Sequence, residues 1–442
     1  MNLRLLVSAV IVAAALPAHA QQTGIVTVNV TGVHSSAGNI LANLCDDPKA
    51  QFPGGCATYQ TMAIAQQGVT VLEFKGVKPG SYAVQLFHDE DGNMFPNIPP
   101  EGFGYGNDQP YPPDFAKSSI KVAGDTTTNV KMTYLGAPTT PTGQKGAPAP
   151  AGVTKVDLRE NGLYGELYVP ASDKPVPAII VLGGSEGGVM TASQVGVGFA
   201  KHGYAVLALA YFQEEGLPKT LEGVPLEYFD KGVEWLKKQK GIDANHIGVI
   251  GGSRGSEAAL LLGSRRKDIT AVAAFAPSNY VWQGLGSNPM AAAAAWTLAG
   301  KAIPFVTPDG AAYRPDNMKL MFTNAIDKKP AADTEIAVEK INGPILFISG
   351  KADALWPSAD MSNRAVARLK AKGFKHKVEN WQYDGAGHLV FMGDPTSPGA
   401  ISMSKAAPNP MLGGTGEAGM KAWTDNWPKT LAFFDAALKG KQ

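Results

Sequence analysis

Cysteine and any imbalance of charge are both scarce in this chain. Only Cys45 and Cys56 are cysteine among 442 residues, which excludes a disulfide-built scaffold and a thiolate zinc cluster. Lys and Arg number 39 against 38 Asp and Glu, a net charge of +1. That balance supplies no basic surface of the kind that nucleic acid or an anionic membrane requires. Histidine is sparse, seven in all, and none stands at ligand spacing from another ligand, so no metal is expected. The glycine-rich turn at Gly183–Gly188 lacks the G-x-G-x-x-G spacing of a dinucleotide loop, and no cofactor is expected. Past the N-terminal stretch no run is long and apolar enough for a bilayer span.

The composition that remains is that of a globular protein: 44% hydrophobic and 17% charged residues. The length suits two or three domains. The first residues carry a secretory pattern, with Arg4, an apolar run from Leu5 to Leu16, and Ala18-His19-Ala20 as an A-x-A cleavage site. Residues 1–20 are read as a signal peptide and Gln21 as the first residue of an exported chain, periplasmic or secreted. In an oxidising compartment Cys45 and Cys56 are expected to pair, closing the short loop Asp46 to Gly55.

From residue 22 to 136 short β-rich segments alternate with turns. Gly24 to Val30, Thr70 to Phe74, Ser81 to Phe87, Ser118 to Val122 and Thr126 to Tyr134 are strand candidates, separated by turns such as Lys78-Pro79-Gly80. The pattern predicts a small all-β sandwich. Asp89, Asp91 and Asn93 alternate as calcium ligands do, but Met94 stands where that loop needs glycine and Pro100 where it needs glutamate. This segment resembles a family of small secreted β-domains without assigned chemistry, on Gly80-Ser81-Tyr82-Ala83-Val84, His88-Asp89-Glu90-Asp91-Gly92-Asn93 and Glu101-Gly102-Phe103-Gly104-Tyr105. Residues 137–152, rich in Pro, Gly and Thr, are read as a linker.

From Val153 to the last residue, 442, strand and helix patterns alternate. Strands are expected at Leu163 to Val169, Ala178 to Leu182, Ala205 to Ala210, Ile247 to Ile250, Ala271 to Phe275, Ile345 to Ser349 and Lys377 to Tyr383. Helices are expected at Val195 to His202, Pro225 to Lys238, Ser256 to Ser264, Asp360 to Ala371 and Ala422 to Leu438. Near-continuous apolar strands between helices predict an α/β domain with a mostly parallel sheet covered on both faces.

One stretch of this domain carries chemistry. Ile247 to Ile250 runs into Gly251-Gly252-Ser253-Arg254-Gly255 and then into a helical run. The Gly-x-Ser-x-Gly layout is that of a nucleophile elbow, with Ser253 at the apex of a sharp strand-to-helix turn. Three further features fall where such a serine needs them. Gly183-Gly184-Ser185-Glu186-Gly187-Gly188 follows a buried strand, so Gly184 and Ser185 offer one oxyanion donor and the Arg254 N–H the other. Asp353 follows a late apolar strand, and His388 lies in a glycine-rich loop beyond another. Asp384 competes with Asp353 but stands so near His388 that it reads as a turn residue. The order Ser253, Asp353, His388 is that of an α/β-hydrolase triad. The Arg254 side chain has two expected uses: an anionic group of the substrate, or a carboxylate of Glu257 or Glu186. Tyr280 to Asp333, with Trp282, Met290, Trp296, Phe305 and Phe322, is placed where lids or acyl pockets are inserted, and Phe391 to Gly414 where a loop borders the site.

The span from about 155 to 440 resembles the C-terminal catalytic domain shared by acyl-CoA thioester hydrolases and bile acid-CoA:amino acid N-acyltransferase, itself related to dienelactone hydrolases. The resemblance rests on Gly203 to Phe212, Leu217-Pro218-Lys219, Pro225 to Phe229, Ile247 to Gly255, Gly343 to Gly350 with Trp356, and Gly385 to His388. It implies Ser253 as nucleophile, Asp353 as acid and His388 as base, acting on a small-molecule acyl ester or thioester. Serine at 253 resembles the hydrolases rather than the acyltransferase. Two departures separate the chain from members with those activities: the β-domain ahead of the catalytic domain differs, and a signal peptide directs the chain away from cytosolic CoA. N-acyl transfer to an amine, and ligand binding on a hydrolase scaffold without catalysis, are the competing readings.

Overall fold

The computed structural model describes residues 23–36, 38–49, 52, 58–90, 102–110, 113–134, 146–286, 293–312, 317–397 and 412–440. The expected signal peptide and Cys56, and with it the expected Cys45–Cys56 pairing, lie outside these.

The β-rich segment forms nine strands: β1 (Gly24–Val33), β2 (Asn39–Cys45), β3 (Tyr59–Ile64), β4 (Gly68–Val77), β5 (Gly80–Asp89), β6 (Gly102–Tyr105), β7 (Ser119–Val122), β8 (Thr126–Lys131) and β9 (Thr133–Tyr134). One sheet has the order β4-β1-β8; the other has the order β3-β2-β5-β6-β9, with β7 pairing β5. Alternate residues of each face the same core. Val26, Val28 and Val30 of β1 and Leu72 and Phe74 of β4 pack with Ile40, Ala42 and Leu44 of β2 and Tyr82, Val84 and Leu86 of β5. Strands β2, β3 and β6 were not anticipated.

The second unit is built on eight strands: β10 (Val153–Leu158), β11 (Tyr164–Pro170), β12 (Val176–Leu182), β13 (Ala205–Ala210), then, after the short β14 (Val224–Pro225), β15 (Ile242–Gly252) and β16 (Ile269–Phe275), and after β17 (Trp296–Leu298) and β18 (Lys301–Ala302), β19 (Ile345–Gly350) and β20 (Val378–Tyr383). Their order is β10-β11-β13-β12-β15-β16-β19-β20, parallel from β13 to β20. Strands β10 and β11 join by antiparallel pairing. The central strands β12, β13, β16 and β19 are mostly apolar because both of their faces are buried. Ile180, Leu182, Leu207 and Leu209 point into one core with helices α2 (Leu226–Lys237), α3 (Arg254–Arg265) and α5 (Ser358–Ala371). Ile179, Val181, Val206 and Ala208 point into the other with α1 (Met190–Lys201) and the long α6 (Gly416–Leu438). This is the α/β-hydrolase order, and it sends the ends of β12, β15, β19 and β20 to one edge of the sheet.

Two segments depart from expectation. Part of the expected linker is tied down: Gly146 N–H donates to Glu166 at 3.0 Å, Ala147 N–H to Ser193 Oγ at 2.7 Å, and Tyr168 OH to Ala147 O at 2.6 Å. Glu166, buried on β11, also accepts from Tyr168 OH at 2.6 Å and pairs with Lys155 at 2.6 Å. The Tyr280 to Asp333 region contains β17, β18 and helix α4 (Lys319–Asp327), and β17 joins β14 and β18 in a small separate sheet. No helix among the described residues is long and apolar enough to cross a membrane.

Candidate active site

Ser253 follows the last residue of β15 and precedes the first of α3. Its φ is 51° and ψ −122°, a conformation that a non-glycine residue holds only under constraint. The constraint is visible on both sides. Ser253 N–H donates to Phe275 O at 3.0 Å, and Ser253 O accepts from Ser256 N at 2.9 Å and from Ser256 Oγ at 2.6 Å. The glycines flanking the serine are dictated by space. A Cβ on Gly251 would meet Gly255 O at 2.1 Å, and one on Gly255 would meet Gly183 O at 2.1 Å. Ser253 is half-buried while the residues on either side of it are buried, so its side chain is the reachable point of the turn.

Asp353 and His388 meet directly. His388 Nδ1 is 2.9 Å from Asp353 Oδ2, and the two side chains are 5% and 1% exposed. The remaining capacity of the carboxylate is filled: Ser358 Oγ donates to Oδ2 at 2.6 Å, and the N–H groups of Leu355 and Trp356 donate to Oδ1 at 3.0 and 3.3 Å. With Nδ1–H donated to Asp353, Nε2 is left as the acceptor that a base requires. Asp384 is exposed and pairs with Lys351 at 2.9 Å, which removes it as a rival.

Ser253 and His388 make no direct hydrogen bond. They are linked through the sheet edge instead. Ser253 binds Phe275 O, the next carbonyl, Ala276 O, accepts from Trp356 Nε1 at 3.2 Å, and the Trp356 ring lies 5.8 Å from the His388 ring. The loop after His388 also closes on this corner, because His388 N–H donates to Leu412 O at 2.8 Å and Gly413 bridges to Asp353. Phe391 to Gly414 therefore borders the site at its returning end, residues 398–411 lying outside the described part.

The residues expected to supply oxyanion donors, Gly184, Ser185 and Arg254, lie close to Ser253. Arg254 opens α3, so its N–H belongs to the first turn, which has no intrahelical acceptor. A Cβ on Gly184 would lie 3.2 Å from Ser253 Cβ, which puts the glycine-rich turn against the nucleophile. Gly184 N–H already donates to Glu186 Oε1 at 2.9 Å. Tyr211 OH donates to Gly183 O at 2.7 Å and Gly184 O at 3.3 Å, holding the turn from below. Burial pushes the Tyr211 phenol well above its ordinary pKa, so it stays a donor. Ser185 is half-buried in the same turn.

Of the two uses expected for the Arg254 side chain, the structure has the second. Its guanidinium pairs with Glu257 at 3.0 Å and donates to Trp282 O and Gln283 O at 3.1 and 2.9 Å, and it is 6% exposed. Glu257 in turn accepts from Trp282 N at 3.2 Å and Trp296 Nε1 at 3.0 Å. The pair clamps the inserted segment onto the elbow helix, and of the guanidinium nitrogens Nε is left buried without a hydrogen-bond partner. Trp282 of that segment then packs with Val306, Ile326, Trp356 and Met361, beside His388. Met290 lies outside the described residues.

Tyr211, Ser358 and Glu186 were missed as site residues by sequence reasoning. Ser358, five residues beyond Asp353 at the start of a helix pattern, was the one with a local signal.

Comparison with known proteins places this chain in a family. Residues 224–440 match the family model described as BAAT / Acyl-CoA thioester hydrolase C terminal, and residues 28–131 match one for uncharacterised proteins conserved in bacteria. Acyl-coenzyme A thioesterase 1 of Homo sapiens is 30% identical over 312 residues, 66% of this chain and 68% of the relative. Bile acid-CoA:amino acid N-acyltransferase of Mus musculus is 31% identical over 255 residues, 54% of each chain. The chain thus spans about half the length of the latter and about two thirds of the former. Among solved structures, esterase B of Lactobacillus rhamnosis is 16% identical over 66% of this chain and 88% of its own, with a TM-score of 0.39.

Proposed function

Because the chain belongs to the acyl-CoA thioester hydrolase and bile acid-CoA:amino acid N-acyltransferase family, we propose that it is an exported hydrolase of carboxylic thioesters or esters, working through a Ser253 acyl-enzyme. The observation that carries the reading is the buried 2.9 Å contact between His388 Nδ1 and Asp353 Oδ2, on the sheet edge that also bears the strained Ser253.

In this mechanism Ser253 Oγ attacks the acyl carbon while His388 Nε2 takes its proton. The carbonyl oxygen becomes an oxyanion and accepts from the N–H groups of Arg254 and of the Gly184–Ser185 turn. One such donor is worth about 3–4 kcal/mol in other serine hydrolases. The bond to the leaving thiolate or alkoxide breaks, and His388 returns the proton to it. Water then attacks the acyl-enzyme, gives a proton to His388, and the acid departs as Ser253 is reprotonated. Asp353 stays ionised throughout and holds the imidazole in the working tautomer.

The experiment is hydrolysis by the chain from Gln21 across p-nitrophenyl esters, acyl-CoA thioesters and lactones, with Ser253→Ala as control. Ser253-dependent turnover of thioesters assigns the relatives' chemistry to this chain. Turnover of simple esters or lactones alone assigns the same mechanism to a different leaving group, as export away from CoA would favour. An amine acceptor that changes the product would replace hydrolysis with acyl transfer. Absence of turnover, together with no fluorophosphonate labelling of Ser253, removes the enzyme reading and leaves a binding protein. Export is tested separately, by cell fractionation and N-terminal sequencing: a chain starting at Met1 in the cytoplasm overturns it.

A further inference from the structure

The expectation of no metal rested on histidine spacing along the chain. The fold defeats that premise in the β-sandwich. His34 follows β1 in one sheet; His88 lies near the end of β5 in the facing sheet, and Glu90 just beyond it. One ligand atom from each of the three lies within 4.8 Å of the other two. His34 Nε2 is 2.8 Å from Glu90 Oε1, and His88 Nδ1 is 3.8 Å from the same oxygen.

We propose that His34, His88 and Glu90 bind a divalent transition-metal ion of the zinc type, which staples the two sheets of the sandwich at one end.

The donor set selects the ion. Two imidazoles and one carboxylate suit zinc and its neighbours, whereas calcium and magnesium take oxygen donors. The spacing fits as well. Zinc holds nitrogen and oxygen ligands at about 2.0–2.2 Å, so tetrahedral neighbours stand about 3.3–3.5 Å apart. The observed separations of 2.8 and 3.8 Å lie on either side of that value. The third pair, His34 and His88, has its ligand atoms within 4.8 Å of each other, so an ion draws the two imidazoles closer together.

The surroundings place the rings in advance. Tyr134 stacks on His34 with centroids 3.6 Å apart, and its hydroxyl lies 2.7 Å from His88 Nδ1. Ser35 Oγ donates to the same Glu90 oxygen. Coordination through Nδ1 turns the Tyr134 hydroxyl aside, while the stacked ring keeps His34 in place. The side chains of His88, Glu90 and His34 are 0%, 9% and 17% exposed. The ion is thus enclosed on the His88 side and reachable on the His34 side, where water completes a fourth position. None of these residues belongs to the Ser253 site, so the proposal stands whatever that site does.

The test uses the untagged chain from Gln21, stripped with chelator and titrated with zinc chloride by calorimetry. Melting is followed in parallel, and cobalt(II) absorption serves as the probe of geometry. The expected result is one ion per chain and a higher Tm with zinc. His34→Ala and Glu90→Ala should each weaken binding at least about tenfold and abolish the Tm shift, with far-UV circular dichroism unchanged. His246→Ala, at an exposed histidine paired with Asp243, should change neither. His88 is left unaltered because it is fully buried, and if one of the two variants unfolds the other is read alone. No saturable binding, or equal binding by wild type and the folded variants, overturns the site.

Discussion

Glu186 Oε1 accepts the N–H of Gly184 at 2.9 Å, in the turn that faces Ser253. On the proposed mechanism a carboxylate and a developing oxyanion cannot share one donor, so Glu186 must release Gly184 for the turn to serve. We expect a phosphonate adduct of Ser253 to show the Gly184 or Ser185 N–H on the phosphoryl oxygen, with the Glu186 carboxylate moved off Gly184. A crystal structure of the adduct checks this directly. An adduct in which Glu186 still holds Gly184, and the phosphoryl oxygen contacts neither N–H, removes this turn from the oxyanion hole.

Asp353 serves His388 while three further donors saturate it. Asp353→Asn keeps the shape but reverses the donor roles at Nδ1. In a serine protease the corresponding change lowers kcat about 10⁴-fold, and a loss of that order is expected here with Tm little altered. Ser358→Ala removes one hydrogen bond to the ionised carboxylate and should cost roughly ten- to a hundredfold in kcat, by the usual worth of a charged hydrogen bond. The readout is the KM-against-kcat split: a positioning role lowers kcat at constant KM. Full activity in Asp353→Asn would transfer its role elsewhere.

How far these elements could be read in advance depended on how local their cause is. Ala205 to Ala210 is buried at every residue, and its apolar run gave the strand with the observed bounds. The elbow declared itself because close backbone approach at Gly251 and Gly255 leaves glycine as the only residue that fits. Asp353 and His388 were placed from the strands before them, and the structure brings the two together. Strand β10 escaped because it is an edge strand carrying Lys155 and Asp157, with little of the alternation that marks a buried one. Strands β14, β17 and β18, of two or three residues, are too short for any period. Tyr211 and the His34–His88 pair depend on which elements lie side by side, and spacing along the chain does not encode that; Glu186 acts on Gly184 within its own turn. The Arg254–Glu257 contact is the intermediate case: an i,i+3 pair on a helix is legible, but its burial under Trp282 is not.

Tyr211 donates to two consecutive carbonyls of the turn, Gly183 O and Gly184 O. Tyr211→Phe leaves the ring and its packing against Phe229 and Trp296 in place and deletes only the hydroxyl. The expected stability cost is about 1–2 kcal/mol, set by two buried carbonyls losing a donor. The kcat should fall by more than this implies at unchanged KM, because the turn carrying the oxyanion donor is no longer held. Thermal melting and steady-state kinetics on the same sample separate the two effects. A loss confined to Tm would make Tyr211 a packing residue.

Glu257 is fully buried, and burial lifts its carboxyl to about 7 even though Arg254 beside it pulls the other way. The unfolded chain returns it to about 4.3. Between those values the folded state binds the additional proton, so stability falls as pH rises through the window, and the burial cost is fully present above it. Wild type measured against Glu257→Gln should therefore gain stability as pH is lowered from about 8 to about 5, by no more than about 3 kcal/mol at 1.36 kcal/mol per unit. Urea melts of both proteins across that range test the sign. A difference that stays flat across that range would mean that Arg254 holds Glu257 ionised throughout. Arg254→Ala complements the series: it strands Glu257 and frees the carbonyls of Trp282 and Gln283. Breaking such a pair costs about 3–5 kcal/mol. The inserted segment should then loosen beside His388, and hydrogen exchange at Trp282 and Gln283 should quicken before the rest of the domain unfolds.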